Sequence, residues 1–396
     1  MRRGPSSGIL TPPYSWLQPL DRIGETIAVT PWYEIDNVQE IASPALLIYP
    51  DRVEENLRRM IAMAGDVSRL RPHVKTHKLP QIVELKLRAG IDKFKASTIA
   101  EAEMTAAAGG RDVMIGYQCV GPAAKRLARL IKAFPETHFS ALVDNPATLK
   151  ELATEALAAG VEITLFVDLN VGMDRTGIEP GPAAIELYQI LAATPGLIAG
   201  GLHAYDGHLH DPDREQMSAA AEAVRERVET LMASLRQAGL IVPKLIAGGT
   251  PSSPLWAASS EAEVGAGTTV LWDFGQPTVS PDHDFLNAAV LLARVISRPT
   301  HDRLCLDLGH KAVAAEMPQP RVRWFTLEDA EPVLQNEEHL VLKTDRAGDY
   351  PVGTVIYGIP RHICPTVALQ SEVVCVRDRV ACETWPVVAR ARRITI

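Results

Sequence analysis

Short apolar runs of strand length alternate with longer segments of helical period from about residue 44 to residue 250. The runs lie at 44–49, 70–74, 93–97, 112–118, 139–144, 162–170, 197–205 and 244–248. Near-continuous apolar runs mark strands buried on both faces, and the gaps between them are long enough for crossover helices. Eight such units predict an α/β fold built on a (β/α)8 TIM-type barrel. The helices carry their own punctuation. Asp51 with Glu54 makes a capping-box pattern, after which Val53, Leu57, Met60 and Ile61 share one face until Gly65 ends the helix. Before the last barrel helix Asp211 is the expected N-cap, with Pro212 at the first helical position. Met217, Ala221, Val224, Val228, Leu231 and Leu235 then hold helical register up to Gly239.

Past about residue 285 the texture changes to short β runs broken by Pro and Gly, at 304–308, 339–343, 354–357 and 373–376. The chain therefore divides into a flexible N-terminal extension over 1–34, a barrel over 35–285 and a smaller β-rich domain over 286–396.

Composition changes this picture little. The 40 basic and 48 acidic residues leave a net charge of -8, which argues against nucleic-acid or anionic-membrane partners. No apolar stretch approaches the roughly 20 residues of a membrane span. The first residues, Met1-Arg2-Arg3, do not lead into an apolar core with a cleavage site, so no signal peptide is expected. Five thinly spread cysteines are not a disulfide framework, and a reducing cytoplasm is the expected compartment.

The candidate chemistry gathers where the expected strands end, the face on which barrels carry their active sites. Arg71-Pro72-His73-Val74-Lys75-Thr76-His77-Lys78 closes an apolar run with a cluster of cations around Lys75. An amine crowded by positive groups and partly desolvated is pushed toward its neutral form and can bond a carbonyl carbon. Ser97 and Thr98 follow the third run, Arg175 the sixth, and Tyr205, His208 and His210 the seventh. Two Gly-rich stretches, 247–253 with Gly248, Gly249 and Thr250, and 265–269 with Gly267 and Thr268, offer backbone N–H groups suited to a phosphate. In an extended strand His362 and Cys364 would project from one face as a chelating pair.

Taken together, "RPHVKTHK" at 71–78, "LNVGMDRTG" at 169–177, "AYDGHLHD" at 204–211, "DLGHKA" at 307–312 and "PRHICPTVAL" at 360–369 resemble the D-threonine aldolase and D-serine dehydratase family of fold-type III pyridoxal enzymes. The resemblance implies that Lys75 holds pyridoxal 5'-phosphate and that Arg175 meets its phenolic oxygen or the substrate carboxylate. It also implies that Tyr205 lies against the ring and that both Gly-rich loops, with Thr98 nearby, bind the cofactor. The chain lacks the arginine that alanine racemases use, and Glu263 is the expected partner of the pyridine nitrogen. His210 or His208 would take the substrate's hydroxyl proton, and His362 with Cys364 would hold a divalent ion, zinc or manganese. The implied activity is cleavage of D-threonine-like β-hydroxy-α-amino acids to glycine and an aldehyde. The alternative is dehydration of D-serine or D-3-hydroxyaspartate to a 2-oxo acid and ammonia. A homodimer is expected.

Overall fold

A computed structural model describes residues 31–211 and 213–396. Residues 1–30 of the expected extension and Pro212 lie outside the described residues.

The first strand, β1 (Ala45–Ile48), is not a barrel strand, contrary to the sequence expectation. The barrel sheet holds seven parallel strands in chain order: β2 (Lys93–Ala96), β3 (Asp112–Gln118), β4 (His138–Val143), β5 (Ile163–Leu169), β6 (Leu197–Ala204), β7 (Lys244–Ala247) and β8 (Glu263–Val264). The ring is closed by residues 70–73, which form only single parallel bridges, Leu70 to Val264 and His73 to Lys95. Pro72 explains the irregularity: it has no N–H to donate, so the segment accepts from Lys95 N through the Pro72 carbonyl and gives Arg71 N to Val264 O. The expected count of eight is met with different members. The run at 70–74 contributes an irregular stave that turns into a 3-10 helix at Val74–Thr76, and the eighth stave is the two-residue β8.

β1 instead pairs antiparallel with β9 (Ala289–Thr300), at the heart of the second sheet. That sheet also contains β10 (Arg303–Leu306), β11 (Val322–Trp324), β12 (Glu331–Gln335), β13 (Leu340–Lys343), β14 (Val355–Pro360), β15 (Glu372–Arg377) and β16 (Val380–Pro386). β1 runs parallel to β15. A four-residue apolar run looks the same in either sheet, because periodicity reports burial and not partners.

The helix Pro50–Ala64 has Tyr49 at its N-cap with no side-chain cap bond, so the capping box is not formed; Asp51 sits in the first turn, where a carboxylate favours the helix dipole. Gly65 ends it at φ 75°, a conformation open to glycine. The helix Arg214–Gln237 is capped by Asp213 and not Asp211: the Asp213 carboxylate accepts from Glu215 N and Gln216 N. Its buried stripe is the one expected, from Met217 to Leu235. Among the described residues no helix is long and apolar enough to cross a membrane.

At the end of the barrel where the strands begin, Arg71 is 1% exposed and gives Nε to Glu263 at 2.7 Å and Nη1 and Nη2 to Asp112 at 2.7 and 2.9 Å. Lys93 closes on the other Glu263 oxygen at 2.6 Å. Burial alone would raise the Asp112 carboxyl, but the fork from Arg71 holds it well below the ordinary carboxylate range. Such a pair is costly to break from one side, because the partner charge is left buried and uncompensated. Arg71→Met should therefore lower unfolding stability in urea by about 3–5 kcal/mol. With the Asp112 pKa depressed, its share of that stability is complete above the unfolded carboxylate range near about pH 4 and is lost as pH falls through the lower folded value. A loss under about 1 kcal/mol, the range of exposed pairs, would show that the cluster does not hold the barrel floor.

Candidate active site

Lys75 sits in the 3-10 turn Val74–Thr76 beyond the stave at 70–73, at the opposite end of the barrel from Arg71. His73 caps that turn, its Nδ1 accepting from Lys75 N at 3.2 Å and its Nε2 bonding Ser97 Oγ at 3.1 Å. His77 is fully buried, with Nδ1 accepting from Leu79 N and Nε2 2.9 Å from Lys86 Nζ. Burial, then the nearby lysines, drives both imidazoles well below their ordinary value. The two histidines are thus neutral scaffolding and not the cations inferred around Lys75. Lys78 is neutralised by Glu101. The positive groups sharing the pocket with Lys75 are Lys95 and Arg175.

The pocket is built around Tyr205, at the end of β6. Its ring has Arg175 Cζ at 4.7 Å, Lys95 Nζ at 5.3 Å and Lys75 Nζ at 5.9 Å from the centroid. Arg175 reaches it from a loop in which Asn170 Oδ1 accepts from Gly172 N and Asp174 N. Ser97 lines the same pocket, whereas Thr98 does not: its hydroxyl accepts from Glu101 N as the N-cap of the helix Ile99–Ala107.

Beneath Tyr205 lies a chain that sequence reading passed over. Lys95 Nζ bonds His203 Nε2 at 2.5 Å, His203 Nδ1 bonds Asp168 Oδ1 at 2.7 Å, and Gln118 Nε2 donates to Asp168 Oδ2 at 2.9 Å. Lys95, His203 and Asp168 are all buried. Burial, then Lys75, pushes the Lys95 amine down to about 7. Burial, then Lys95, pushes His203 down to about 4. The available signal was a titratable residue inside each of three apolar strands, Lys95 in β2, Asp168 in β5 and His203 in β6, where a core position would carry none.

The phosphate-binding expectation is partly redirected. Gly248 N donates to Ala204 O, and Gly249 N donates to Asp206 Oδ1 and Ser252 Oγ, so the first loop's glycine amides are already engaged. Asp206 fills that nest itself, also accepting from Ser252 Oγ and Trp256 Nε1. The amides of Thr250, Gly267 and Thr268 have no partner among the described residues, and Gly267 is buried. A buried orphan donor is rare, and these three suit an anion such as the cofactor phosphate. Side-chain atoms are excluded at 267: a Cβ there would lie 2.8 Å from His73 Cβ.

Glu263 is corrected outright. It starts β8 and is bound to Arg71 and Lys93 on the far floor of the barrel, so it does not reach the pocket. His208 and His210 line a separate surface cleft with Asp211 and Met217. His210 is exposed, with Nδ1 bonded to His208 O, whereas His208 packs on Gly172 and leaves a buried Nδ1 without a partner.

His362 and Cys364 are not in a strand. β14 ends at Pro360, His362 caps the short helix Ile363–Leu369 and Cys364 lies in its first turn. The two side chains still meet. Burial would lower His362, but the bond and charge of Cys364, then Glu316, raise it to about 9. Burial would raise Cys364, but His362, Thr76 and Lys75 pull the thiol below its ordinary value. His362 Nδ1 lies 2.5 Å from Glu316 Oε1, and Cys364 Sγ lies 3.2 Å from Thr76 Oγ1. A paired imidazole and acidified thiol fit a divalent ion, with Glu316 orienting the ring as carboxylates do for metal-bound histidines. His310 lies elsewhere in the second sheet's loops, its backbone N–H donating to Asn336 O.

Known proteins resemble the chain over most of its length. Residues 48–271 match the family described as alanine racemase, N-terminal domain, and residues 288–376 match the putative serine dehydratase domain. The chain is 31% identical to a D-threonine aldolase of Arthrobacter sp over 90% of this chain and 94% of that protein. It is 28% identical to a 3-hydroxy-D-aspartate aldolase of Paracoccus denitrificans (strain Pd 1222), over 89% and 93%. The crystal structure of D-threonine aldolase from Filomicrobium marinum superposes with a TM-score of 0.79 at 28% identity, over 89% of this chain and 96% of that one. With a lysine at the mouth of a barrel of this type and the dehydratase-like unit closing over it, the chain belongs to the alanine racemase-like, fold-type III pyridoxal phosphate family, in the branch that includes D-threonine aldolase.

Proposed function

We propose that the chain cleaves the Cα–Cβ bond of D-threonine-like β-hydroxy-α-amino acids to glycine and an aldehyde, using pyridoxal phosphate and a divalent ion, zinc or manganese. One observation carries this reading: Cys364 touches Thr76, the neighbour of Lys75, so the His362–Cys364 pair overhangs the pocket into which the lysine opens. A metal held by His362 and Cys364 would supply a Lewis acid for the substrate's β-hydroxyl. Bound pyridoxal phosphate would supply a covalent carbonyl for the amine and an electron sink for the bond that breaks.

The chain's own residues then divide the work. Lys75 would hold the cofactor through its amine. The amides of Thr250, Gly267 and Thr268 hold the phosphate, Tyr205 walls the ring, and Arg175 meets the phenolic oxygen or the substrate carboxylate. Of the two histidines in the neighbouring cleft, His208 is the better base for the hydroxyl proton than the exposed His210, because it packs on Gly172 of the loop that carries Arg175 and has an unpartnered Nδ1. Apart from β1, which joins the second sheet, the barrel and the β-rich unit divide near residue 285, the assembly is a homodimer, and the five free thiols suit a reducing cytoplasm.

A second reading, dehydration of D-serine or D-3-hydroxyaspartate to a 2-oxo acid and ammonia, is favoured by the thiol ligand and by the serine dehydratase match over 288–376. Product analysis with D-threonine and D-serine, with and without zinc or manganese, separates them. Glycine and acetaldehyde from D-threonine support the aldolase, and pyruvate from D-serine alone overturns it in favour of the dehydratase.

Gly249 offers a milder test of the pocket wall. A Cβ at 249 would sit 3.2 Å from Tyr205 Cε2, so Gly249→Val should push the ring aside. Cofactor affinity should fall by about tenfold, the scale of one lost ring contact, while thermal unfolding changes little. Unchanged affinity would remove Tyr205 from the cofactor site.

A further inference from the structure

Pyridoxal phosphate presents four polar groups: a carbonyl, a phosphate, a phenolic oxygen and a ring nitrogen. On the reading above, Lys75, the three free amides and Arg175 meet the first three. The fourth has lost its expected partner, since Glu263 is tied to Arg71 and Lys93 at the other end of the barrel. Of the three cationic side chains that line the pocket, Lys75, Arg175 and Lys95, the last remains without a task. We propose that Lys95 meets the cofactor's ring nitrogen and keeps that nitrogen unprotonated.

The niche for Lys95 is built. Its stem runs past two glycines: a Cβ at Gly116 would lie 2.7 Å from Lys95 Cε, and one at Gly265 would lie 3.8 Å from Lys95 Cδ. Gly265 opens the loop that carries the free Gly267 and Thr268 amides, so the Lys95 stem passes beside the phosphate end of the site. The amine is pinned from below. Asp168 takes the Nδ1 proton of His203, which turns the Nε2 lone pair toward Lys95 and leaves the other positions of the amine to face the pocket. Lys75 and Arg175 face it as cations, Asp168 and Asp206 as carboxylates, and His203 as a neutral ring.

The electronic consequence follows from relative basicity. An alkylamine is a stronger base than a pyridine ring, even with its pKa pushed down to about 7 by burial and Lys75. One proton shared between the two therefore rests on Lys95. A carboxylate such as the expected Glu263 would have done the reverse, holding a proton on the ring and deepening the electron sink. Lys95 thus moderates how far charge flows into the ring, at a position the His203–Asp168 pair can tune.

The test compares pyridoxal phosphate with its 1-deaza analogue, in which C–H replaces the ring nitrogen, binding to the full chain stripped of cofactor. Wild type should prefer pyridoxal phosphate by about tenfold, the size of one buried hydrogen bond, and Lys95→Met should bind both equally. With ring-labelled cofactor, the 15N signal of wild type at neutral pH should report an unprotonated nitrogen, and Lys95→Glu should shift it to the protonated form. If Lys95→Met fails to fold, Gly116→Ala, which displaces the stem and keeps the amine, must reduce the preference. Equal affinities in wild type, a preference that survives loss or displacement of Lys95, or a 15N signal indifferent to Lys95→Glu would overturn the assignment while leaving the cofactor reading intact. Failure of wild type to bind either compound would overturn both.

Discussion

Lys75→Ala should lose at least about 10³-fold in turnover, within the range that removing a directly participating group produces, and should unfold like the wild type. Lys75 is set apart from the lysines around it by the absence of a partner. Lys78 is bound to Glu101, Lys86 to His77, Lys93 to Glu263 and Lys95 to His203. The Lys75 amine makes no hydrogen bond or ion pair among the described residues and only overlooks the Tyr205 ring at 5.9 Å. A structural lysine would be paired, so its removal would leave a buried partner uncompensated. Removing Lys75 leaves none, and the stability cost should stay within about 0.5 kcal/mol, as for unpaired surface positions. The assignment is checked by borohydride reduction of the holoenzyme followed by peptide mapping. Cofactor trapped on Lys95, the other amine of the pocket, would transfer the tether to that residue and overturn the role of Lys75.

Metal removal should have the second largest effect. Chelation, or His362→Ala, should reduce turnover by at least about 10²-fold, the scale of losing a metal's charge stabilisation. The visible band of bound cofactor should persist. The two functions separate because Lys75, Tyr205 and the amides of Thr250, Gly267 and Thr268 belong to the barrel, whereas His362 and Cys364 come from the end of β14 and the helix after it. Cys364→Asp replaces a soft thiolate with a carboxylate, which should move the preference from zinc toward manganese. The measurement is elemental analysis beside steady-state rates on D-threonine and D-serine. Full activity in protein shown to be metal-free would return the pair to a plain imidazole–thiol contact within the second unit.

Much of the fold was legible because burial leaves a period in the sequence. The runs that became β2 to β7 and the stripe from Met217 to Leu235 needed no knowledge of their neighbours. Several site residues were legible for a related reason, since barrels place loops at strand ends and the motifs around Lys75, Arg175 and Tyr205 fall there. Caps were less legible. Asp211 and Asp213 are chemically the same residue, and only the direction of the incoming chain decides which one meets the free amides.

What the sequence alone determined, then, was which segments are buried, their helical or extended period, and which side chains have the chemistry for a carbonyl cofactor and a metal. Tertiary structure decided which sheet each run joins, which end of the barrel each charge faces, and which donors remain free. β1 left the barrel for the sheet around β9, Glu263 went to the floor with Arg71, and Asp206 took the amide of Gly249. Lys95, His203 and Asp168 come from three strands as much as 108 residues apart and meet only when the barrel closes. The reason is physical: periodicity is a local property of a chain and its solvent, whereas pairing, charge compensation and the saturation of hydrogen bonds are relations between segments that exist only after packing.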